Sequence, residues 1–530
     1  MKAILFNVLL LVSLPLLSSG QQRWENIIGK SGISETSIDN VKTYDNAFCL
    51  LNYLYYGKIY IVKTDVNGTL LWEKTYINQG DYIGTTSITE NSDGELIITG
   101  FVSNGALVMK LNQCGELVWC SKFINPEYDL VNFADAVTLP NGDIIVLAFM
   151  QRIDGNVTNQ DYLFCYNADG NFLWKRAYAS LNTDPLYGDR LLFKLYHINN
   201  YFIAVGNCYY PYPDNPALLV LRPFFIRIDS AYNEVFTLPY GVRDSIVGWA
   251  SKLKVEEKNG VNTGVGSYYP SVYSGERNTL IMDFDSQGDE TAYWGIPNTA
   301  IGSDINDNLG HGLISATDST QIITGTFGSD NTVNPVGELL VENNFSVITA
   351  ITHINTIGDS PDIIKTSDLT FLFTSSLMEI PPNNNDILIY KLNSDLSQAD
   401  YDTTTHVYDS LCDHPIVSDT IYLNGCNVIT GIEEVPTPEG YHTSIKTIPL
   451  RVSPNPATGS VRFEMENTAY HKGVVIQVFG INGNRVFEQA LDNGQTAITT
   501  TVATWPDGLY IAVVSSRTSG SGSAKFVVKK

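Results

Sequence analysis

The sequence lacks the short motifs that mark the common enzyme classes. It contains no H-E-x-x-H, G-x-S-x-G, C-x-x-C or P-loop, and no G-x-G-x-x-G between a strand and a helix. No catalytic residue is nominated, because 56 aspartates and glutamates offer too many carboxylate pairs. The seven histidines are dispersed, and only His311, with Asp304 and Asp307 nearby in the chain, is worth inspecting first as a site.

Basic residues are scarce, with 32 Lys and Arg against 56 Asp and Glu and a net charge of −24. Residues 449–530 hold eight basic and five acidic residues, and Lys2 is the only charged residue among the first 20, so residues 21–448 carry −28. Such a surface repels nucleic acid and anionic membranes. It would tolerate calcium, but no D-x-[DN]-x-[DN]-G loop is present, so no cofactor is expected and calcium is kept as the alternative.

Long apolar runs are also rare. One runs from Ala3 to Leu17, after Lys2 and before the small residues Ser18 and Gly20. Residues 1–20 are therefore predicted to be a signal peptide, since the run is shorter than the ~20 residues that span a bilayer. The alternative is an N-terminal anchor. No other segment predicts a membrane span.

What the chain has in abundance is an alternating pair of hairpins, first complete in Ile59–Gly100. Seven copies of each hairpin are recognised, which predicts an all-β fold: a seven-bladed β-propeller of four-stranded repeats over residues 21–426. Trp24–Ile28 resembles the outer strand of a repeat and is expected to close the ring in the last blade, the alternative being a short cap.

A glycine turn precedes a tryptophan by four residues in the clearest repeats. The pairs are Gly68 and Trp72, Gly115 and Trp119, and Gly170 and Trp174. A tryptophan at this position of an outer strand is expected to pack between blades, because burying an indole there explains it without a cofactor.

The chain has seven cysteines, and an exported protein can form disulfides. Cys114 and Cys120 flank one hairpin and are predicted to pair, and Cys412 and Cys426 bracket the last propeller segment and are predicted to pair. The other three lie in or beside apolar strands, where buried thiols are expected. They are Cys49, Cys165 and Cys208.

The repeat pattern of the sequence ends after residue 426. Residues 427–448, rich in proline and acids, are predicted to be a linker. Residues 449–530 alternate apolar and polar positions between NG, DNG and PDG turns, which predicts a small Ig-like β-sandwich. The distinctive residues of this segment are Pro454, Asn455 and Pro456 of S-P-N-P-A, Gly483 of G-I-N-G, Gly508 and Tyr510 of P-D-G-L-Y, and the final Lys529 and Lys530.

These motifs resemble the type A C-terminal sorting domain of type IX secretion (Por secretion system) cargo. The resemblance implies that the outer-membrane translocon reads the domain, which is then usually removed, and that many cargo proteins are joined to surface lipopolysaccharide. It implies a protein that reaches the periplasm by its signal peptide and ends as a secreted or outer-membrane surface protein of a Gram-negative bacterium.

The remaining question is what the propeller does. Aromatic-rich insertions favour a non-catalytic binding module for a glycan or a protein. The candidate ligand-binding residues are Tyr209, Tyr210, Tyr212, Tyr268 and Tyr269. The alternatives are a structural scaffold of an outer-membrane assembly and a secreted enzyme that degrades polysaccharide or peptide.

Overall fold

The structure is a computed structural model, and the residues it describes fall into two compact units, Met1–Ile432 and Glu433–Lys530. The described residues are 25–30, 32–125, 128–152, 159–178, 190–212, 215–239, 247–249, 255–258, 261–269, 278–285, 290–296, 308–327, 336–353, 356–378, 385–430, 450–465, 474–480, 485–491, 495–516 and 520–530. The predicted signal peptide and most of the predicted linker lie outside these ranges.

The first unit is a β-propeller whose described residues form seven sheets, here called blades 1 to 7 in chain order. Blade 1 contains β2 (Glu35–Lys42), β3 (Phe48–Leu54), β4 (Lys58–Thr64) and β5 (Leu70–Ile77), and blade 2 contains β6 (Ile83–Glu90), β7 (Leu96–Val102), β8 (Gly105–Leu111) and β9 (Leu117–Ile124). Blade 3 contains β10 (Tyr128–Thr138), β11 (Ile144–Arg152), β12 (Asn159–Tyr166) and β13 (Phe172–Tyr178), and blade 4 contains β14 (Arg190–Ile198), β15 (Tyr201–Tyr212), β16 (Asn215–Asp229) and β17 (Glu234–Pro239). Blade 5 contains β18 (Val247–Trp249), β19 (Val255–Lys258), β20 (Val261–Tyr269), β21 (Asn278–Phe284) and β22 (Glu290–Ile296). Blade 6 contains β23 (Asn308–Ser315), β24 (Thr320–Phe327), β25 (Val336–Glu342) and β26 (Val347–His353). Blade 7 contains β27 (Thr356–Lys365), β28 (Phe371–Met378) and β29 (Asn385–Leu392), with β1 (Glu25–Ile28) as its fourth strand.

Each blade is an antiparallel meander, and its strands are called A to D from the centre of the ring outward. The innermost strands of neighbouring blades touch: β2 contacts β6, β6 contacts β10, and β10 contacts β14. In blade 5, β18 and β19 both pair with β20 and together take the place of strand A. The described residues of this unit form seven sheets, and the sequence predicts seven repeats.

The C–D hairpin turns are built by one recurring set of hydrogen bonds. Asp65 Oδ1 accepts the N–H groups of Asn67 at 2.8 Å and Thr69 at 2.7 Å, and Gly68 donates its N–H to the Asp65 carbonyl at 3.0 Å. The same turn closes at Asn112, Asn167 and Asp229. Where a repeat has lost its glycine, Tyr232, Phe345 or Leu396 takes the left-handed conformation instead.

The tryptophans pack between blades, as the sequence predicts. A Cβ atom on Gly115 would lie 3.0 Å from the Trp72 ring of the preceding blade, and one on Gly170 would lie 2.4 Å from the Trp119 ring. Each glycine turn therefore makes room for its neighbour's indole. In the diverged blades, an aromatic ring replaces the glycine, with ring centroids 4.6 Å apart for Trp174 and Tyr232 and 4.2 Å apart for Trp294 and Phe345.

The N-terminal strand closes the ring. β1 pairs antiparallel with β29, from Glu25 opposite Tyr390 to Ile28 opposite Ile387, and so supplies the outer strand of blade 7. This confirms the sequence prediction for Glu25–Ile28, while Trp24 lies outside the described residues. Because β1 takes the fourth position beside β29, the chain turns back after Leu392, contacts β29 again at Gln398 and Ala399, and then continues to other blades.

Residues 393–430, here called the C-terminal strap, continue from blade 7 to blades 1 and 2. Their strands β30 (Asp419–Tyr422) and β31 (Asn427–Thr430) add in parallel to the outer strands β5 and β9. Asp419 lies opposite Lys74, and Asn427 lies opposite Ser121. The sequence predicts that the linker begins at residue 427, but Asn427–Thr430 belong to the propeller because they pair with β9.

The predicted disulfide pairings are wrong, although the four cysteines are the right ones. The structure joins Cys114 to Cys412 and Cys120 to Cys426. Cys114 lies in the hairpin turn, whereas Cys120 lies in the strand β9, opposite Met109. Because a strand advances ~3.3 Å per residue, the residues between the two cysteines keep their sulfur atoms apart. The strap places one partner beside each of them. Cys49, Cys165 and Cys208 are buried.

The second unit is a small β-sandwich. One sheet contains β32 (Leu450–Ser453), β33 (Ser460–Met465) and β36 (Ala497–Thr501), and the other contains β34 (Val474–Gly480), β35 (Arg485–Ala490), β37 (Gly508–Ser516) and β38 (Gly520–Val528). Phe463 of the first sheet and Ile476, Val514 and Phe526 of the second share one buried core.

Leu369 tests the cost of the left-handed turns. It lies in the A–B turn of blade 7 with φ of +63° and its side chain is 68% exposed, so it has little packing to lose. Leu369→Gly should raise the free energy of unfolding by about 0.5–1 kcal/mol, because relief of the backbone strain outweighs the added entropy of glycine. Urea denaturation measures this change. Leu70→Gly, at an exposed strand position, should be destabilising, and a loss of stability in Leu369→Gly would contradict the assignment.

Glu35 makes the stability of the ring depend on pH. It is fully buried at the start of β2 and accepts the Lys30 N–H at 2.9 Å. Burial, reinforced by Asp386, raises the pKa of Glu35 to about 7. The folded state therefore holds a proton that the unfolded state releases near pH 4.5, and stability is lost as the pH rises from 4.5 to 7. Glu35→Gln should remove this loss, as shown by urea midpoints against pH, and parallel profiles for the two proteins would refute it.

Candidate functional site

The meander order fixes which loops share a face of the propeller. The A–B and C–D turns lie on one face, here called the lower face, and the B–C hairpins and the connections between blades lie on the other, called the upper face. The loops at the ends of propeller strands are where ligand-binding residues are usually presented.

Aromatic side chains gather on the upper face of blades 1 and 2. Tyr55 and Tyr56 form the tip of the β3–β4 hairpin and are 60% and 82% exposed. Tyr82 precedes β6 and is 44% exposed, and Phe101 lies at the end of β7. Together with Tyr53, these residues are called the aromatic platform. Its ring centroids are 6.0 Å apart between Tyr53 and Tyr82 and 6.0 Å apart between Tyr82 and Phe101.

Two glycines make room for the platform. A Cβ atom on Gly57 would lie 2.6 Å from Cδ2 of Tyr82, and one on Gly84 would lie 2.2 Å from Cζ of Phe101. Gly57 also has φ of +76°, and Tyr56 beside it has φ of +78°, which is unusual for a bulky residue. Backbone strain of this kind is concentrated at functional positions.

Hydrogen bonds hold Tyr82 in place. Its N–H donates to Ser103 Oγ at 3.1 Å, and its carbonyl accepts the Ser103 N–H at 3.1 Å. Its hydroxyl group is hydrogen-bonded to that of Tyr53. Burial and this hydrogen bond raise the pKa of Tyr53 to about 12, so its hydroxyl group stays protonated and neutral at physiological pH. The Tyr53–Tyr82 part of the platform is therefore held in place by hydrogen bonds, and the side chains of the platform carry no formal charge.

A shallow depression of 380 Å³ adjoins the platform between blades 2 and 3. Its lining is mostly aromatic and aliphatic, with Ser103 and Tyr82 as the residues that carry hydroxyl groups, and consists of Tyr82, Phe101, Val102, Ser103, Gly105, Leu130 and Val131. Its volume falls in the range of ligand-binding clefts.

The tyrosines predicted from sequence lie in other blades. Tyr209, Tyr210 and Tyr212 are in the B–C end of β15, and Tyr268 and Tyr269 are in the B–C end of β20. Their backbones therefore reach the upper face in blades 4 and 5, but their side chains lie outside the described part of the chain. Sequence reasoning missed the platform, although Tyr-Tyr-Gly in a hairpin turn, where Asn-Gly or Asp-Gly is usual, could have signalled it.

The central channel carries a polar network instead. Each inner strand of blades 1 to 4 has a bulge at the same point, and the residues after the bulge are Asp39, Ser87, Asp135 and Lys194. Asp39 Oδ2 accepts from Lys194 Nζ at 3.0 Å and from the Ile88 N–H of blade 2 at 3.1 Å. Asp135 accepts from Ser87 Oγ and from the Leu195 N–H. Since blades 1 and 4 are not neighbours, the Lys194–Asp39 ion pair crosses the channel.

His311, the histidine singled out from sequence, occupies the corresponding bulge of β23. It is buried, and its Nε2 lies 3.2 Å from Thr326 Oγ1. Asp304 and Asp307 lie outside the described residues. The hairpin turns that begin at Asp65 and Asn167 use these side chains to bind backbone N–H groups. Within the described ranges, no group of three or more His, Cys, Asp or Glu side chains is placed to hold a metal ion.

In the C-terminal unit, the motifs from the two ends of the segment meet. Asn455 Oδ1 accepts the Val527 N–H at 2.9 Å, and the Lys529 N–H donates to the Ala457 carbonyl at 2.9 Å. Both peptide bonds before Pro454 and Pro456 are cis. Gly508 pairs with Val528, Lys530 N–H bonds Asp507, and Tyr510 OH donates to the Pro506 carbonyl at 2.8 Å. Gly483 lies outside the described residues.

Residues 451–529 match the family described as the secretion system C-terminal sorting domain. The sorting domain indicates export by the type IX secretion system to the cell surface or the extracellular space of a Gram-negative bacterium. None of the described residues forms a helix long and apolar enough to cross a membrane.

No curated protein matches the chain in sequence. Similar solved structures include a protein of unknown function from Bacteroides caccae (13% identity, 62% of this chain and 93% of that one, TM-score 0.34). They also include an ulvan lyase of family PL25, with 8% identity over 70% of this chain and 96% of that one and a TM-score of 0.44. A third is Drosophila semaphorin 1b, with 8% identity over 69% of this chain and 86% of that one and a TM-score of 0.40. At TM-scores below 0.5, these similarities carry no functional inference.

Two glycines allow the platform to be tested against a matched control. Gly57 and Gly80 both have φ of +76°, but a Cβ on Gly80 would meet nothing within 4 Å. Alanine at either position should cost about 1–2 kcal/mol for the left-handed backbone. Gly57→Ala should lower the free energy of unfolding by about 1 kcal/mol more than Gly80→Ala, because the added methyl group displaces Tyr82. Urea unfolding of both variants measures the difference, and equal losses would show that Gly57 does not shape the platform.

Proposed function

We propose that the protein is a non-catalytic binding module, exported by the type IX secretion system, whose propeller binds an extracellular ligand on the aromatic platform. The observation that carries this proposal is the group of exposed tyrosines on the upper face, in which Tyr82 is held in place by its neighbours. The sorting domain supports the location, and the platform supports the activity.

The platform has the physical properties of a binding surface. Tyrosine offers a large contact area with few rotatable bonds, so little conformational entropy is lost on binding. Tyr82 is already fixed by Gly57, Phe101 and Tyr53 before any ligand arrives. Such preorganisation increases affinity because the cost of ordering the site has been met during folding.

The chemistry of the platform favours an uncharged glycan. The side chains that line the depression carry no charge, and residues 21–448 carry −28, which repels sulfated or uronate-rich polymers. The rings of Tyr55, Tyr56 and Tyr82 can pack on the C–H faces of sugars, and the hydroxyl groups of Tyr53 and Ser103 can donate and accept hydrogen bonds. A protein ligand is the second candidate, since exposed tyrosines also serve as anchors in protein interfaces.

Binding to a glycan array tests the proposal with the chain from Gln21 to its C-terminus, with and without calcium. Tyr55→Ala combined with Tyr56→Ala should weaken binding at least tenfold, because each ring contributes about 1–2 kcal/mol when it packs against a ligand. Tyr293→Ala is the control, since Tyr293 is 45% exposed but lies in the outer strand β22.

The outcomes separate the alternatives. Loss of binding in Tyr209→Ala, Tyr210→Ala or Tyr212→Ala, with the platform variant unaffected, would move the site to blade 4. A blank array from folded protein would refute the glycan, and copurification with envelope proteins would then favour the scaffold. Release of shortened glycan products would establish an enzyme.

A further inference from the structure

The C-terminal strap is fastened to blade 1 by a buried cluster of charges. The carboxylate of Asp409 accepts from Lys63 Nζ at 2.6 Å, and the same ammonium group reaches Asp45 at 2.7 Å. The Lys63 side chain is 1% exposed, and the Asp409 N–H donates to Asp45 Oδ2 at 2.9 Å. These contacts hold the strap on blade 1 independently of the disulfides.

Backbone and apolar contacts extend this attachment. Asn67 donates its amide N–H to the Asp402 carbonyl at 2.8 Å and accepts the Asp402 N–H at 2.8 Å. Beyond Cys412, β30 follows β5, and Leu423 is buried in the core between blades 1 and 2. The strap therefore spans the lower turns and the outer edge of blade 1 and continues to β9 of blade 2.

Both disulfides join the strap to blade 2. Cys114 in the C–D turn binds Cys412, and Cys120 in β9 binds Cys426. The chain between Cys114 and Cys412 contains blades 3 to 7, and the strap leads from blade 7 past blade 1. The first disulfide therefore completes a covalent circle around the ring. It bridges the seam, which is otherwise held by non-covalent contacts: the pairing of β1 with β29, the Lys63 cluster and the packing of β2 against β27 and β28.

We propose that the strap is a redox-dependent clasp that locks the propeller ring once the protein has reached an oxidising compartment. In each of the two steps, two cysteine thiols give up two electrons and two protons to a disulfide oxidant, which is reduced to two thiols while the protein S–S bond forms. The charge cluster at Lys63 aligns the strap first, so that Cys412 and Cys426 lie beside their partners. Reduction leaves the fold intact but lets the strap and the seam open.

Hydrogen exchange of the full chain from Gln21, before and after reduction of the folded protein with a phosphine, tests the clasp. Amides of β1, β30 and β31 should exchange at least tenfold faster after reduction, while those of β11 and β12 keep their rates. The variant with all four cysteines changed to serine should behave like the reduced protein and should not respond to the phosphine. Unchanged exchange at β1 and β30 would overturn the proposal.

The charge cluster has a matched control on the same strap. Asp409→Asn weakens the non-covalent attachment, whereas Asp395→Asn changes an exposed carboxylate whose hydrogen bonds go to Ser397 within the strap itself. In the reduced protein, Asp409→Asn should raise the exchange of β30 a further fivefold or more, and in the oxidised protein it should raise it less than twofold. Equal effects in both redox states would show that the disulfides do not act as a lock, whatever the stability of the variants.

Discussion

The bonds between the Lys63 ammonium group and the carboxylates of Asp45 and Asp409 join the two ends of the propeller. Burial works to raise the pKa of Asp45, but the Asp409 N–H and Lys63 hold it below its usual range, so the Asp45 carboxylate stays ionised at neutral pH. A buried ion that loses a partner is costly, because its desolvation is no longer offset. The strap must therefore stay on blade 1 for Lys63 to remain buried.

The disulfides reinforce the same junction. Each spans about 300 residues, with separations of 298 and 306. In the chain-entropy model, closing a first loop of this length stabilises the folded state by about 5–6 kcal/mol, and the second bond adds much less because the loop is already closed. The ring thus has a non-covalent closure through β1 and Lys63 and a covalent closure through the strap.

Local rules made much of the fold predictable. The turn residues Asp65, Asn112 and Asn167 bind the N–H groups two and four positions ahead, and this pattern is visible as a repeated Asp or Asn before glycine. The disulfide pairing was not predictable. It depends on where the strap runs, and the strap runs along blades 1 and 2 only because β1 has already taken the fourth position in blade 7. That choice lies between segments more than 350 residues apart and leaves no local pattern.

The candidate site shows the same division. The sequence predicts ligand-binding tyrosines from aromatic-rich insertions, such as those of Tyr209 and Tyr268, and this stays a prediction. The platform arises instead from three separate segments, the Tyr56–Gly57 turn, Tyr82 and Phe101, and their contact depends on neighbouring blades. Composition cannot show which aromatic residues come together across a blade boundary.

The proposed binding at the platform is consistent with the arrangement of the strap and the channel. The Lys194–Asp39 ion pair crosses the central channel, and the strap occupies the lower turns and outer edge of blade 1. The platform lies on the upper face of blades 1 and 2, the two blades to which the strap and its disulfides are attached. A binding surface gains affinity when its parts do not move relative to one another. The platform combines segments of both blades, so fastening blade 1 to blade 2 keeps Tyr55 and Tyr56 in register with Tyr82.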